Sequence, residues 1–239
     1  MLRSLPFLLS AVLCATTAFA ADPAPLVDET FSSPTLPPKW QPGGRPNCFS
    51  IVDGALRGVA QPDDAHGPSI GVPIEGHNLA VQFRVKFAQP GYFLFLINGD
   101  SQFGGQAHLL RFALAKDMMQ LAQDRGALAS KQEQKVARDA AQKAGMKVPP
   151  PTQEQLADPK FYRTESLARQ PAKPTDGEWH KVSIELRGNE VVAKVDDLPA
   201  MHGTGSVLDV KKSRLVFLVG NSGDVRIDDV KASEIPAKP

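Results

Sequence analysis

Residues 79–87 read LAVQFRVKF, and residues 179–187 read WHKVSIELR. All odd positions of the first stretch are apolar, whereas its even positions include the polar residues Gln82, Arg84 and Lys86. The second stretch repeats the alternation, with its even positions from 182 onward apolar. Such alternation is typical of a β-strand that buries one face and exposes the other. Both stretches therefore predict strands of a sheet that covers an apolar core.

The rest of the chain contains further short strand-like runs, separated by Gly, Pro, Asn and Asp. The predicted strands, with the two above, are Val27–Phe31, Phe49–Val52, Ala55–Val59, Leu79–Phe87, Tyr92–Ile97, His108–Leu114, Trp179–Arg187, Glu190–Val195, Arg214–Val219 and Val225–Ala232. Tyr92–Ile97 is apolar throughout, which predicts burial on both faces. Helices do not alternate with these runs, so the pattern predicts an all-β sandwich or barrel rather than a parallel α/β sheet.

The composition is that of a globular protein with a balanced charge. The 239 residues include 27 Lys and Arg against 26 Asp and Glu, and 42% of all residues are hydrophobic. A length of this size predicts one domain, or two small ones. A formal net charge of +1 does not produce the positive field that non-specific nucleic-acid binding requires. We therefore expect no nucleic-acid partner.

The first twenty residues have the features of a secretory signal peptide. Arg3 precedes a short apolar stretch at 7–15, and Ala18 and Ala20 are the small residues that a signal peptidase recognises. The apolar stretch is shorter than the roughly 20 residues that span a bilayer. We predict cleavage after Ala20 and export to the periplasm or the medium of a bacterial cell, with no membrane span. Cleavage would leave Cys48 as the one cysteine, which we expect to be buried and free.

Residues 124–174 interrupt the strand pattern of what we predict to be a single sandwich domain at 21–239. The segment 126–145 is rich in Ala, Gln, Lys and Glu, which predicts a helix, and the prolines at 149–151 end regular structure. Connections of this length are uncommon, which makes 124–174 a candidate functional insertion. It holds ten basic and six acidic residues. Two interpretations stay open: the insertion docks on an acidic face of the sandwich, or both surfaces are simply solvated.

Several segments resemble the concanavalin A-like lectin/glucanase superfamily. Trp40 followed by FSIVDGALRG at 49–58 resembles the opening hairpin of these domains. GEWHKVSIELRG at 177–188, followed by VVAKVD at 191–196, is similar to the penultimate strands of laminin-G-like and 3-keto-disaccharide hydrolase-type domains, and VRIDDVK at 225–231 resembles their closing strand. The resemblance implies an exported bacterial jelly-roll β-sandwich, antiparallel and all-β, with one largely helical, Pro-rich insertion. It also implies a carbohydrate partner, an oligosaccharide or polysaccharide.

The chain departs from the enzymes and the metal-binding lectins of this superfamily. The glucanases carry paired carboxylates in an E-x-D-x-x-E strand, which this sequence lacks; Glu185 and Glu190 fall in different predicted strands. The lectins hold Ca²⁺ with Asp and Asn loops. Asn98-Gly99-Asp100, Asp196-Asp197 and Asp228-Asp229 are rich in oxygen ligands but have no spacing that specifies a metal. We predict no cofactor and no metal; Ca²⁺ is compatible with these residues but not indicated by them.

His108 and Arg111 are the leading candidates for a ligand site. They lie three residues apart, so in a regular strand they face opposite sides, and they share a site only if a bulge intervenes or one lies at the strand end. Similar exported sandwich proteins place an Asp after such a His and Arg, which here implies Asp124. His66 in an acidic loop and Trp40, whose flat ring suits a sugar, complete the candidates. Each also has a structural interpretation, such as a hydrogen-bonded imidazole, a surface charge or, for Trp40, core packing.

Three functions are compatible with the sequence. The first, which we favour, is non-catalytic glycan binding by an exported monomer. The second is hydrolysis of a glycoside in a cleft that combines His108, Arg111, Asp124 or His66, in the manner of the 3-keto-disaccharide hydrolases. The third is an interaction module that works through the insertion at 124–174. The residues leave open whether the protein is an enzyme, and the resemblance supports sugar handling only by analogy of fold.

Overall fold

The computed structural model describes residues 24–61, 64, 66–220 and 223–237, in which two antiparallel β-sheets enclose one apolar core. The predicted signal peptide lies outside the described residues, so its cleavage and the export of the protein stay predictions. No helix in the described part of the chain is both long and apolar enough to cross a membrane.

The described residues form fifteen strands and two α-helices. In chain order they are β1 (Val27–Glu29), β2 (Gln41–Gly43), β3 (Phe49–Val52), β4 (Ala55–Val59), β5 (Ser69–Gly76), β6 (Leu79–Gln89), β7 (Tyr92–Asp100), β8 (Gln106–Ala115), β9 (Met118–Arg125), α1 (Leu128–Lys143), α2 (Gln153–Ala157), β10 (Arg163–Pro171), β11 (Trp179–Arg187), β12 (Glu190–Val195), β13 (Met201–Thr204), β14 (Lys212–Gly220) and β15 (Asp224–Glu234).

The two sheets have the crossed strand order of a jelly roll. The first sheet runs β13-β12-β11-β6-β15-β4-β3, and β1 pairs with the second half of β15. The second sheet runs β10-β9-β8-β7-β14-β5-β2. Neighbours such as β6 and β15, or β7 and β14, are far apart in the chain and pair antiparallel. The predicted all-β, antiparallel jelly-roll sandwich with a small helical insertion is confirmed.

The alternation at 79–87 and 179–187 predicts the core correctly. The inward-facing apolar residues of β6 and β11 are at most 2% exposed. They meet an aromatic cluster in which Phe83 lies edge-on to Phe217, with ring centroids 5.3 Å apart. Because aromatic side chains bury a large apolar area each, this cluster supplies much of the force that holds the sheets together.

Trp40 belongs to this core, which corrects its place among the ligand-binding candidates. Its side chain is 3% exposed, and its ring stacks on Phe217 with centroids 5.6 Å apart and planes 9° from parallel. A ring enclosed in this way has no face left for a sugar. Cys48, as expected, is a buried free cysteine.

The limits of the predicted insertion differ in the structure. Asp124 and Arg125 are the last residues of β9, and 163–171 form the edge strand β10, which pairs antiparallel with β9. The segment outside the sheets is therefore 126–162. The sequence of β10 reads RTESLARQP and lacks a strict apolar alternation, because an edge strand contacts little of the core. α1 agrees with the helix predicted within 126–145.

Three basic residues of 124–174 form ion pairs with acidic residues of the same segment. Lys135 pairs with Asp139 at 2.7 Å, and Arg125 and Arg163 both reach Glu165, at 3.2 and 2.7 Å. In the described residues, the one ion pair from the segment to the sandwich has the opposite sense, with Asp124 of the segment bound to a sandwich arginine. Docking of the insertion on an acidic face is thus not supported by these contacts.

Candidate functional site

A bulge in β8 brings His108 and Arg111 to the same face of the second sheet. The pairing of β8 with β7 skips Leu109, so β8 has one extra residue at this point. Leu109 and Leu110 both lie in the core, 1% and 0% exposed. With two consecutive residues directed inward, His108 and Arg111 on either side of them both lie on the outer face. The sequence analysis required such a bulge, or a strand end, for His108 and Arg111 to share a site, and the structure has the bulge.

Asp124, near the end of β9 beside β8, is the centre of a buried polar cluster. Its carboxylate is 1% exposed and accepts hydrogen bonds from Arg111 Nε at 2.7 Å and Nη2 at 2.6 Å. Thr164 Oγ1, directly opposite on β10, donates to the same carboxylate at 2.7 Å, and the Tyr162 hydroxyl donates as well. Four donors leave the carboxylate saturated, so its role is to fix its neighbours.

The charge state of this cluster follows from its hydrogen bonds. Burial has the largest single effect on the pKa of Asp124 and would raise it, but the hydrogen bonds and charge of Arg111 together with the hydrogen bonds from Tyr162 and Thr164 outweigh burial, and the pKa is lowered. For Tyr162, burial and then the hydrogen bond to Asp124 raise the pKa above its usual value. Asp124 is therefore ionised and Tyr162 neutral at pH 7, and the Arg111–Asp124 pair carries no net charge.

His108 is neutral and has one free ring nitrogen. Its Nδ1 lies 2.8 Å from Asn98 Oδ1, its cross-strand neighbour on β7. Because a carbonyl oxygen only accepts, Nδ1 carries the proton and Nε2 keeps its lone pair. Burial first, and then the charge of Arg111, lower the pKa of His108 to about 4. Nε2 is thus ready at neutral pH to accept a hydrogen bond, or a proton, from a bound molecule.

The start of α1 positions Tyr162 over this cluster. Ser130 Oγ accepts a hydrogen bond from the Tyr162 backbone N–H at 3.1 Å, and Gln134 Nε2 donates to the Tyr162 carbonyl at 2.9 Å. Lys131 Nζ lies 4.7 Å from the centroid of the Tyr162 ring, within the range of a cation–π contact. The helical segment therefore forms one wall beside the Asp124 cluster.

An open groove of about 290 Å³ crosses the outer face of the second sheet next to His108. Part of its floor is apolar: Leu94, Leu96, Ala113, Val216 and Leu218 form a second cluster on this face, separate from the main core. This second cluster explains why β7 is buried on both faces, as predicted for Tyr92–Ile97: Leu94 and Leu96 pack in it, while Phe93, Phe95 and Ile97 pack in the main core. The residues that line the groove are Gln41, Gly43, His66, Ser69, Gly71, Leu96, Asn98, Gln106, His108, Arg214, Val216 and Leu218.

Four of the five predicted residues therefore lie in or beside one site, and Trp40 does not. His66 and His108 both line the groove. Arg111 and Asp124 form the adjacent cluster, close enough for their charges to act on His108. His66 comes from the loop before β5, where its backbone N–H donates to Asp64 Oδ1 at 3.1 Å.

The sequence analysis did not single out several polar residues of the site. They are Gln41, Gln106, Lys131, Thr164 and Arg214. Arg214 interrupts the apolar pattern of a central strand, which is a usable signal for a functional face. Lys131 has no such signal, because its position depends on how 126–162 folds back on β9.

The structure contains no evident metal centre or carboxylate pair at this site. Among the described residues, no three His, Cys, Asp or Glu side chains are arranged to hold a metal ion, and none of the groove-lining residues given above is Asp or Glu. The oxygen-rich pairs noted in the sequence are engaged elsewhere. Asp196 accepts from His180 Nδ1 at 2.7 Å, and Asp228 accepts from Arg84 Nη2 at 2.6 Å.

Comparisons with known proteins agree with the architecture. The chain is similar to the laminarinase of Rhodothermus marinus, with 10% identity, a TM-score of 0.57, and 88% of this chain and 96% of the laminarinase covered. It is similar to the carbohydrate-binding module CBM66 of Bacillus subtilis, with 8% identity, a TM-score of 0.51, and 82% and 96% covered. A Bacillus subtilis protein of unknown function with a galectin-like fold gives 11% identity, a TM-score of 0.59, and 91% and 99% covered.

These matches show that the chain has the concanavalin A-like fold. Identities near 10% establish the fold alone, since this fold carries several unrelated activities. No family model matches the sequence, and no curated protein sequence matches it either.

Proposed function

We propose that this protein binds a carbohydrate, without cleaving it, in the groove on the outer face of the second sheet. The single observation that carries the proposal is the bulge at Leu109, which places His108 and Arg111 together beside an open groove. Structural neighbours that include a laminarinase and a carbohydrate-binding module support the same class of ligand. Export of the protein, which would bring it into contact with extracellular glycans, is part of the proposal.

The polar side chains of the groove match the hydroxyl groups of a sugar. Gln106 Nε2 donates to Ser213 Oγ at 2.7 Å, which leaves the amide oxygen of Gln106 for a ligand. His108 Nε2 is a further acceptor, and its ring is held in place by Asn98. Fixed hydrogen-bonding groups lose little conformational entropy on binding, which favours affinity for a polar ligand.

The apolar part of the floor matches the C–H face of a sugar ring. Leu96, Val216 and Leu218 lie between the polar residues, and each is at most 8% exposed. A groove of a few hundred cubic ångströms that combines an apolar surface with a few polar groups is typical of small-ligand sites.

A second candidate, glycoside cleavage, is favoured by one observation. His108 has a free Nε2 and a pKa of about 4 and is therefore unprotonated at neutral pH, as a general base must be. The paired carboxylates of ordinary glycoside hydrolysis are absent from the groove-lining residues in the described part of the chain, and Asp124 is saturated with donors. We therefore place binding first.

The test is calorimetric titration of the protein with a panel of neutral and acidic oligosaccharides, laminaritriose among them. The variant Val216→Trp fills the floor of the groove, and we expect it to weaken binding at least about tenfold. Val192→Trp is the matched control, because Val192 lies on β12 of the first sheet, away from the groove. His108 stays neutral between about pH 5.5 and pH 8, so the hydrogen bond that it offers a ligand should contribute equally to affinity across this range.

Two results would contradict the proposal. If no oligosaccharide of the panel binds, or if Val216→Trp and Val192→Trp bind equally well, the groove is not a carbohydrate site. If the protein releases new reducing ends from an oligosaccharide, and His108→Ala does not, the function is glycoside cleavage and not binding alone.

A further inference from the structure

We infer that the groove selects an acidic carbohydrate, one whose sugar units carry a carboxylate or a sulfate ester. The inference rests on the proposed carbohydrate site and adds the chemical class of its ligand. It follows from the charged side chains around His108: Arg214 lines the groove, Lys131 lies close enough for its charge to act on His108, and the carboxylate of Asp124 near Lys131 is already paired with Arg111.

Neutral hydrogen-bond acceptors hold the guanidinium of Arg214 at the groove. Its Nη1 donates to Gln41 Oε1 at 3.1 Å, and its Nη2 donates to Gln41 O at 3.2 Å and Gly71 O at 3.3 Å. These distances are long for bonds from a charged donor, which with a carboxylate are usually near 2.8 Å. In the described residues Arg214 is thus oriented but not neutralised. Its positive charge attracts a carboxylate or a sulfate.

Arg214 lies flat against β5 because Gly71 leaves room for it. A Cβ at position 71 would lie 2.6 Å from Arg214 Nε, closer than such atoms approach in proteins. The absence of a side chain on β5 therefore lets the guanidinium reach the groove wall instead of extending into solvent. This arrangement places a positive charge at a defined position on the outer face.

Lys131 supplies the second cation from the opposite wall. Its ammonium lies over the Tyr162 ring, and its charge acts on His108. Burial lowers the pKa of Lys131, and Asp124 opposes this only in part because Arg111 acts in the lowering direction. A half-buried ammonium whose nearby carboxylate already accepts four hydrogen bonds is stabilised by any further anion that binds beside it.

The remaining groove-lining residues add no negative charge. In the described part of the chain they include no Asp or Glu. The charge of this face thus differs from that of the nearly neutral whole chain. Such a local field raises the association rate and the affinity for an anion and makes both dependent on salt.

The experiment is titration of the full chain with three probes of similar length: an oligogalacturonate, a sulfated dextran oligosaccharide and laminaritriose. We expect at least one acidic probe to bind at least about tenfold more tightly than laminaritriose at low salt, with affinity falling as salt rises. Arg214→Gln and, separately, Lys131→Gln should each weaken acidic binding about fivefold or more and weaken laminaritriose binding by a clearly smaller factor. The two acidic probes decide between carboxylate and sulfate.

Arg226→Gln is the matched control. Arg226 lies on β15 of the first sheet, where Asp53 accepts its hydrogen bond at 2.9 Å, so its loss should leave acidic binding unchanged. If laminaritriose binds as well as the acidic probes, with no salt dependence, the inference is wrong and the carbohydrate site stands. If no probe binds at all, both the inference of an acidic ligand and the proposed carbohydrate binding are wrong. If Arg214→Gln does not fold, the binding of the acidic probes to Lys131→Gln, whose substitution lies on the exposed helix α1, still tests the inference.

Discussion

At the scale of single residues, Asp124 has the most consequences for the site. Its saturated carboxylate holds Arg111, Tyr162 and Thr164 in place at once. An ionised group that is 1% exposed is costly to bury, and the cost is offset here because every lone pair meets a donor. Asp124 is therefore a positioning residue, and its neighbours present the groups that face a ligand.

Replacement of Asp124 by alanine should lower the free energy of unfolding by about 3 kcal/mol at pH 7, since it leaves the mostly buried Arg111 without its counter-charge. The folded-state pKa of Asp124 is lowered, so its contribution is complete above the unfolded pKa near 4 and is lost as the pH falls through the folded pKa. Urea denaturation of the wild type and of Asp124→Ala at pH 7 and pH 3 measures this. The difference in free energy of unfolding between the two proteins should be smaller at pH 3.

Asp139→Ala is the control for this prediction. Asp139 pairs with Lys135 on the exposed side of α1, and its removal should leave the urea midpoint unchanged. Equal stability of wild type and Asp124→Ala at pH 7 would mean that Arg111 finds another partner or water, and that the cluster is not a structural unit.

At the scale of elements, the site depends on departures from regular strands. The bulge in β8 reorients His108, and β10 closes the cluster by placing Thr164 opposite Asp124. On the other side of the groove, β5 and β14 approach each other closely at Gly71. These irregularities lie on the outer face of the second sheet, whereas β6 and β11 of the first sheet pair without a shift.

Gly71→Ala should destabilise the protein by about 1–3 kcal/mol, because the added methyl group would lie 2.7 Å from Leu215 O and 2.6 Å from Arg214 Nε. The same change should displace Arg214 and weaken acidic binding. Gly220→Ala is the matched control on β14, since its added Cβ would meet only Tyr92 at an ordinary 3.7 Å. Thermal unfolding of the two variants measures the difference. A Gly71→Ala protein as stable as Gly220→Ala would show that β5 adjusts freely.

At the scale of the whole molecule, the sandwich and the helical segment contribute differently. Neither α1 nor α2 has a buried residue, whereas the strands of both sheets share one core. The segment nevertheless reaches the site through Tyr162, Ser130 and Gln134. We infer that the sandwich supplies stability and that the segment completes one wall of the groove.

Replacement of 128–159 by a short Gly/Ser linker should therefore leave the sandwich folded. The ends of the segment are adjacent, with Ala127 N donating to Lys160 O at 2.9 Å, so a short linker closes the gap. The two lost hydrogen bonds to Tyr162 should cost about 1–3 kcal/mol of stability in total. Circular dichroism and urea denaturation test this, and affinity for an acidic oligosaccharide should fall because Lys131 is removed. Loss of the β-sheet signal would show instead that the segment is part of the folding unit.

The sequence by itself determined the fold class, because alternation with a period of two reports which face of a strand is buried, and burial is the largest favourable contribution to folding. It also predicted the helix within 126–145, from the helix propensity of Ala, Gln, Lys and Glu, and it identified His108, Arg111, Asp124 and His66 as candidates. It placed Trp40 among the ligand candidates, and it missed β2, β5, β9, β10 and β13, because short or polar strands depend on a neighbour rather than on their own pattern.

Only the tertiary structure decided that these four residues lie in or beside one groove, and that Arg214 and Lys131 face it. His66 and His108 come from strands and loops more than forty positions apart. The bulge at Leu109 is a one-residue shift that arises from how β7 and β8 pair, and no local pattern specifies it. The charge of the site likewise depends on which carboxylates are already paired, which is a property of distances in space and not of composition.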